Sequence, residues 1–89
     1  MASRATGYID VTDGGGVFYA SVDSSSAGLR ETLEDGIARE SWDDEDEAID
    51  AAMEEAKLLV SSGDAASITV MVEGTTRAII KKDRKARSK

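Results

Sequence analysis

Four runs in this chain carry residue types that can do chemistry. Asp43-Asp44-Glu45-Asp46-Glu47 offers five consecutive carboxylates, the oxygen ligands that Ca2+ and Mg2+ take. Asp13-Gly14-Gly15-Gly16 offers backbone N–H groups with little steric cover, the raw material of a phosphate cradle. Ser24-Ser25-Ser26 offers hydroxyls. Lys81, Lys82, Arg84, Lys85, Arg87 and Lys89 form a basic run, which binds phosphates by releasing counterions.

Most of these weaken when spacing is considered. The acidic run lacks the calcium-loop pattern D-x-[DN]-x-[DN]-G-x5-E. Consecutive carboxylates on a helix point in different directions and cannot converge on one ion. They read instead as a solvated helix start, where the positive end of the helix dipole favours anions. Known phosphate loops lead from a strand into a helix with fixed glycine spacing, whereas this loop leads into a second strand. It reads as a turn. The serines have no histidine to activate them, because the chain contains none, and no G-x-S-x-G elbow exists. The absence of both His and Cys also removes the usual transition-metal ligands and any disulfide. Carboxylate pairs of glycosidase type are plentiful, but a domain this small leaves little room for a pocket of about 300–1,000 Å3. The expectation is no enzyme: no catalytic, cofactor-binding or metal-binding residues.

Charge is sorted along the chain. Residues 1–80 carry 17 Asp/Glu against five Lys/Arg, and residues 81–89 carry six Lys/Arg against one Asp/Glu. The two segments, −12 and +5, sum to the −7 of the whole. The reading is a single domain over 1–80 and a basic, disordered tail over 81–89. No aromatic residue lies in the tail for base stacking, so a solubilising end is favoured over a nucleic-acid tether. Lys57 is the only lysine before Lys81. This lysine-poor, acidic composition resembles that of proteins from halophilic archaea. Molar salt would screen the self-repulsion and would also abolish most of the counterion-release gain of the tail. Apolar runs are only a few residues long, so no membrane span is expected. The first residues lack the apolar stretch of a signal peptide. The expected compartment is the cytoplasm.

The elements follow from periodicity. Tyr8–Thr12 and Val17–Val22 alternate like strands around the glycine turn, which makes a hairpin. Residues 29–41 are ambiguous. Leu29, Glu31 and Leu33 alternate, and Glu34-Asp35-Gly36 can turn the chain into a short strand from Ile37 to Glu40. Leu29 and Leu33 also sit four apart, with Gly36 placed to close a short helix. The second hairpin is the preferred reading. Ser41 is the expected N-cap of the next helix. Ile49, Ala52, Met53, Ala56, Leu59 and Val60 form one apolar stripe at helical period, which Trp42 extends. That alignment assigns Trp42 to the core or its edge rather than to a binding hot spot. Glu54 and Lys57 are spaced for an ion pair, and Gly63 ends the helix. Ser67–Glu73 and Thr76–Ile80 form a further hairpin around Gly74-Thr75, a turn with Gly first.

The stretch Glu40-Ser41-Trp42-Asp43-Asp44-Glu45-Asp46-Glu47-Ala48-Ile49 resembles small uncharacterised prokaryotic domains. In those families a Ser/Thr and an aromatic residue precede a Glu-Ala-opened helix packed on a short antiparallel sheet. The resemblance implies a fold and supplies no site residues.

The expected fold is therefore α+β in two layers, with one amphipathic helix on a mostly antiparallel sheet of four to five strands. One helix covers one sheet face. The other would show Val11, Tyr19, Met71 or Ile80, depending on register. Such a face favours a homodimer, paired sheet to sheet or edge to edge. The expected function is a non-catalytic binding or regulatory module acting through a protein-interaction surface. Two alternatives are a nucleic-acid-associated protein tethered by its tail, and an acidic mimic of the phosphate backbone. The protein partner is not specified by the sequence.

Overall fold

The computed structural model describes residues 4–81. Strand β1 (Thr6–Asp13) pairs antiparallel with β2 (Phe18–Ser24), with Val11 opposite Ala20. The connecting loop is a turn, as its sequence predicts. The Asp13 carboxylate accepts from the N–H of Gly15 at 2.9 Å and of Gly16 at 3.3 Å, and the Gly14 N–H donates to the Val17 carbonyl at 2.7 Å. These N–H groups are therefore already used within the loop and are not held out to a phosphate.

Residues 24–40 depart from the preferred reading. There is no second hairpin. Helix α1 spans Ala27–Asp35, and a 3₁₀ turn follows at Ile37–Arg39. Ser26 caps α1, its hydroxyl accepting from the Leu29 N–H at 3.1 Å. The helical spacing of Leu29 and Leu33 wins because both are buried on one face against the sheet. Gly36 closes α1 through N–H bonds to Thr32 and Leu33. Its φ is −104°, so glycine is not needed there for a left-handed turn. A Cβ at this position would lie 3.1 Å from the Thr32 carbonyl and 3.3 Å from the Glu55 carboxylate, so close approach is the reason for the glycine.

The second helix also begins later than Ser41 suggests. Ser41 and Trp42 form a short strand, β3, with Trp42 opposite Phe18 and Ser41 opposite Tyr19. Helix α2 spans Glu45–Ser61, and its N-cap is Asp44, whose carboxylate accepts from the Asp46 N–H at 3.3 Å. Trp42 thus reaches the core margin from the sheet and does not extend the helical stripe. The stripe itself holds: Ala52, Ala56, Leu59 and Val60 are buried, with Ile49 and Met53 half-buried. Ala48 joins them, fully buried. The Glu54–Lys57 pair does not close. Among the described residues the one ion pair is Arg30–Asp23, at 3.6 Å.

At its end α2 forms a Schellman cap. Gly63 adopts φ +90° and donates to Val60, and Asp64 donates to Leu59. A side chain at Gly63 would meet no atom within 4 Å. The cost of Gly63→Ala is therefore conformational alone, about 1 kcal/mol. Gly28, near the start of α1, also has open space around it but no positive φ. Gly28→Ala should therefore stabilise by about 0.5–1 kcal/mol, through higher helix propensity and a less flexible unfolded chain. Thermal melts of the two variants should move in opposite directions from the parent. Equal shifts would contradict the helix at 27–35.

Strands β4 (Ser67–Val72) and β5 (Thr75–Lys81) close the chain as the predicted hairpin. The turn is one residue earlier than expected, because Val72 pairs with Thr75 and leaves Glu73-Gly74 as the loop. Both have positive φ, +52° and +82°, the type I′ pattern. Glu73 is held in this conformation from two sides: its N–H donates to the Val11 carbonyl at 2.9 Å, and its carboxylate accepts from the Asp13 N–H. Lys81 belongs to β5, opposite Ser67, so the folded domain includes it.

The sheet order is β3-β2-β1-β4-β5. The central pair, β1 and β4, is parallel, and the other three pairs are antiparallel. Helix α2 packs chiefly over β4 and β1, and α1 over β2, both on one face. Ile9, Val11, Ile68 and Val70 point into that face and are fully buried. The architecture is the expected two-layer α+β fold, with a second helix and a parallel centre added.

Candidate functional site

Strand alternation places every second residue on the face that no helix among the described residues covers. On β1 these are Tyr8, Asp10 and Thr12. Tyr8 is paired with Asp23 on β2 and Thr69 on β4, and Thr69 with Ile79 on β5. The next row runs from Ser21 through Asp10 to Met71. Tyr19 stands further along β2, between Ser41 and Thr12. Tyr8, Tyr19 and Ile79 are 37%, 46% and 58% exposed, while Met71 is half-buried.

This corrects half of the expected face. Val11 is fully buried and Ile80 is packed against the core, both on the helix side. Tyr19 and Met71 are where the expectation put them, joined by Tyr8 and Ile79. The choice between Ile79 and Ile80 was not open to sequence reading, because a bulge opposite Val70/Met71 inserts Arg77 and sets the parity of the strand. Tyr8 was legible as a strand residue opposite in phase to Ile9 and Val11.

A depression of about 380 Å3 lies on this side, bounded by Tyr8, Asp23, Thr69 and Met71. A second, of about 430 Å3, lies on the helix side between Ile37, Trp42 and α2. Both volumes fall within the range that a domain of this size was expected to lack. Both are open grooves rather than enclosed cavities.

The remaining candidates have structural work. Ser24 donates to the Thr6 carbonyl at 2.9 Å and accepts from the Ser26 N–H at 3.1 Å. Ser25 accepts from the Thr6 N–H at 3.0 Å. With Ser26 as helix cap, the three serines tie the end of β2 to β1 and start α1. Asp10 accepts from the Gly74 N–H at 3.0 Å, so Asp10, Asp13 and Glu73 together clamp the two hairpin loops at one end of the sheet. Asp43–Glu47 are exposed along the start of α2, and among the described residues no three carboxylates come together as a metal site. Of the basic run, Lys81 is exposed at the end of β5. Lys82, Arg84, Lys85, Arg87 and Lys89, and with them the expected disordered tail, lie outside the described residues.

What this geometry offers is surface: an amphiphilic sheet face on one side and an acid-rimmed groove on the other. No helix among the described residues is long and apolar enough to cross a membrane. Compared with protein-family models, curated proteins and solved structures, the chain has no match.

Proposed function

We propose that this protein is a small non-catalytic interaction module that works as a homodimer, with the uncovered sheet face as its self-association surface. The observation that carries this is the placement of Tyr8, Met71 and Ile79 in adjacent rows of that face, where no element among the described residues covers them. Exposed apolar residues grouped in this way mark contact surfaces. A twofold axis normal to the face lets one patch complement itself. The edge of the sheet is the weaker candidate. β5 carries a bulge at Arg77 and ends on Lys81, devices that blunt strand-to-strand pairing.

Five strands at about 4.8 Å spacing give a face only about 20 Å wide. Such an area lies at the low end for a specific dimer, so dissociation in the micromolar range is expected. Light scattering across a dilution series should show a dimer giving way to a monomer. Ile79→Lys should shift that transition at least about tenfold upward in concentration. It should leave the melting temperature of the monomer nearly unchanged, because Ile79 is a surface residue of an edge strand. A monomer mass at every concentration would remove the reading.

The acidic composition supports a second part of the proposal, that the domain works in a cytoplasm at molar salt. Screening there relieves the repulsion among its carboxylates.

A further inference from the structure

On the helix side, the C-terminal end of α1, the 3₁₀ turn, β3 and α2 enclose the second groove. Its apolar surface comes from Ile37, Trp42, Ala51 and Leu58. Trp42 is only half-buried, and Leu58 is 61% exposed, the most exposed large apolar residue among those described. Ala51, Glu54, Glu55 and Leu58 recur at helical spacing, so one stripe of α2 forms a whole wall. Three carboxylates edge the groove: Glu40 beside β3, and Glu54 and Glu55 on α2. Gly36 lets the Glu55 carboxylate come close to the backbone at the end of α1.

The three acids are unpaired, like most carboxylates of α1 and α2, and differ from the others in edging an apolar groove. Asp10, Asp13, Asp44 and Glu73 all accept hydrogen bonds from backbone N–H groups. Glu40, Glu54 and Glu55 accept none among the described residues and make no ion pair there. Arg39 and Lys57 lie close to them in sequence, yet neither comes within 4.0 Å of a carboxylate oxygen among the described residues. An apolar trough with an unpaired acidic rim is complementary to one kind of side chain. Arginine and lysine carry apolar stems that can lie along Trp42 and Leu58 while their charged heads reach the rim. Arginine also stacks on the indole face.

We propose that this groove docks an Arg/Lys-rich segment of a partner protein. The surface is separate from the sheet face assigned to self-association and stands independently of it. The chain's own basic run is a less suitable occupant. It begins at Lys81 on β5, at the opposite edge of the sheet from β3, whereas the groove lies beside β3.

Trp42 is the sole tryptophan, so its emission reports on the groove directly. The test titrates the full chain with a synthetic Arg/Lys peptide carrying a leucine at every fourth position. It is run at the lowest KCl at which circular dichroism shows the chain folded. A saturable change in Trp42 emission is expected, with affinity reduced at least about tenfold in the Glu40→Gln/Glu54→Gln/Glu55→Gln variant. The variant Glu31→Gln/Asp46→Asn/Asp50→Asn removes the same charge outside the groove and should bind like the parent. Equal weakening in both variants would mean attraction to the acidic body as a whole, and would overturn the proposal. So would an unchanged emission. A full-length chain with Lys82, Arg84, Lys85, Arg87 and Lys89 all replaced by Gln provides the last arm. If it binds the peptide about tenfold tighter than the parent, the chain's own segment occupies the groove and the partner assignment fails.

Discussion

Leu33→Ala should lower the melting temperature by about 15 °C or abolish folding. Leu33 is fully buried and is one of the two residues that fix α1 to the sheet, Leu29 being the other. Its Cδ1 lies over Gly7 of β1, 3.4 Å from where a Cβ on that glycine would stand. Truncating a leucine in such a position removes its transfer free energy and leaves a cavity, together about 3 kcal/mol. A domain of this length has a total stability of only about 5–10 kcal/mol. About 1 kcal/mol moves the midpoint by about 4–8 °C, so the loss is large on either scale. Leu58→Ala serves as the control, because Leu58 is 61% exposed; its cost should stay within about 0.5 kcal/mol. Thermal circular dichroism at fixed salt reads both. If Leu33→Ala shifted the midpoint no more than Leu58→Ala, the packing of α1 described above would be wrong.

That residue also shows where sequence reasoning stopped. Strands β1 and β2 and helix α2 were legible because alternation on both sides of a glycine turn marks the strands and the apolar stripe from Ile49 to Val60 runs through about three helical turns. Helix α1 has only nine residues and two buried ones. Leu29 and Leu33 satisfy a period of 2 and a period of 3.6 equally well. The deciding contact, Leu33 above Gly7, joins residues that are far apart in sequence. The start of α2 was displaced for a related reason. Ser41 and Asp44 are both good N-caps, and Ser41 is taken by pairing with Tyr19. The turn at Glu73-Gly74 was placed one residue late because a glutamate rarely adopts positive φ. Here the bond to Asp13 across the two loops holds it.

The interaction surfaces divide in the same way. Alternation offered Val11, Tyr19, Met71 or Ile80 for the uncovered face, depending on register, and of these Tyr19 and Met71 are there. The bulge at Arg77 decided between Ile79 and Ile80, and bulges leave no clear mark in composition. The groove beside Trp42 was invisible from sequence. It exists only because α1 is a helix, ends at Gly36, and meets the Glu54–Leu58 side of α2. Trp42 was assigned to the core edge, and that is where it sits. The same half-burial is what makes it available as a groove wall.

Between about 0.1 M and 2 M KCl the melting temperature should rise by about 10 °C. Residues 1–80 hold 17 acidic side chains against five basic ones. The single ion pair among the described residues joins two half-exposed groups, Arg30 and Asp23, and such pairs contribute little. The repulsion is concentrated on α2. Asp46, Asp50 and Glu54 follow one another at four-residue spacing on its exposed side, and each like-charge pair of that kind costs about 0.2–0.5 kcal/mol. The Debye length falls from about 10 Å at 0.1 M to about 3 Å at 1 M. Contacts across one helical turn are then damped, and longer-range ones vanish. Relief of about 2 kcal/mol over the whole domain corresponds to the shift expected. Preferential exclusion of salt from the surface would raise the midpoint as well, so the slope alone does not identify the cause. Asp50→Lys separates the two. It turns two repulsive pairs on α2 into attractive ones, which should raise the midpoint at low salt and flatten its dependence on KCl. Exclusion predicts parallel curves for parent and variant. Convergence of the two curves at high salt, with the variant ahead at low salt, is the signature of screened repulsion. A parent curve flat in KCl would remove the proposal that molar salt is this domain's working medium.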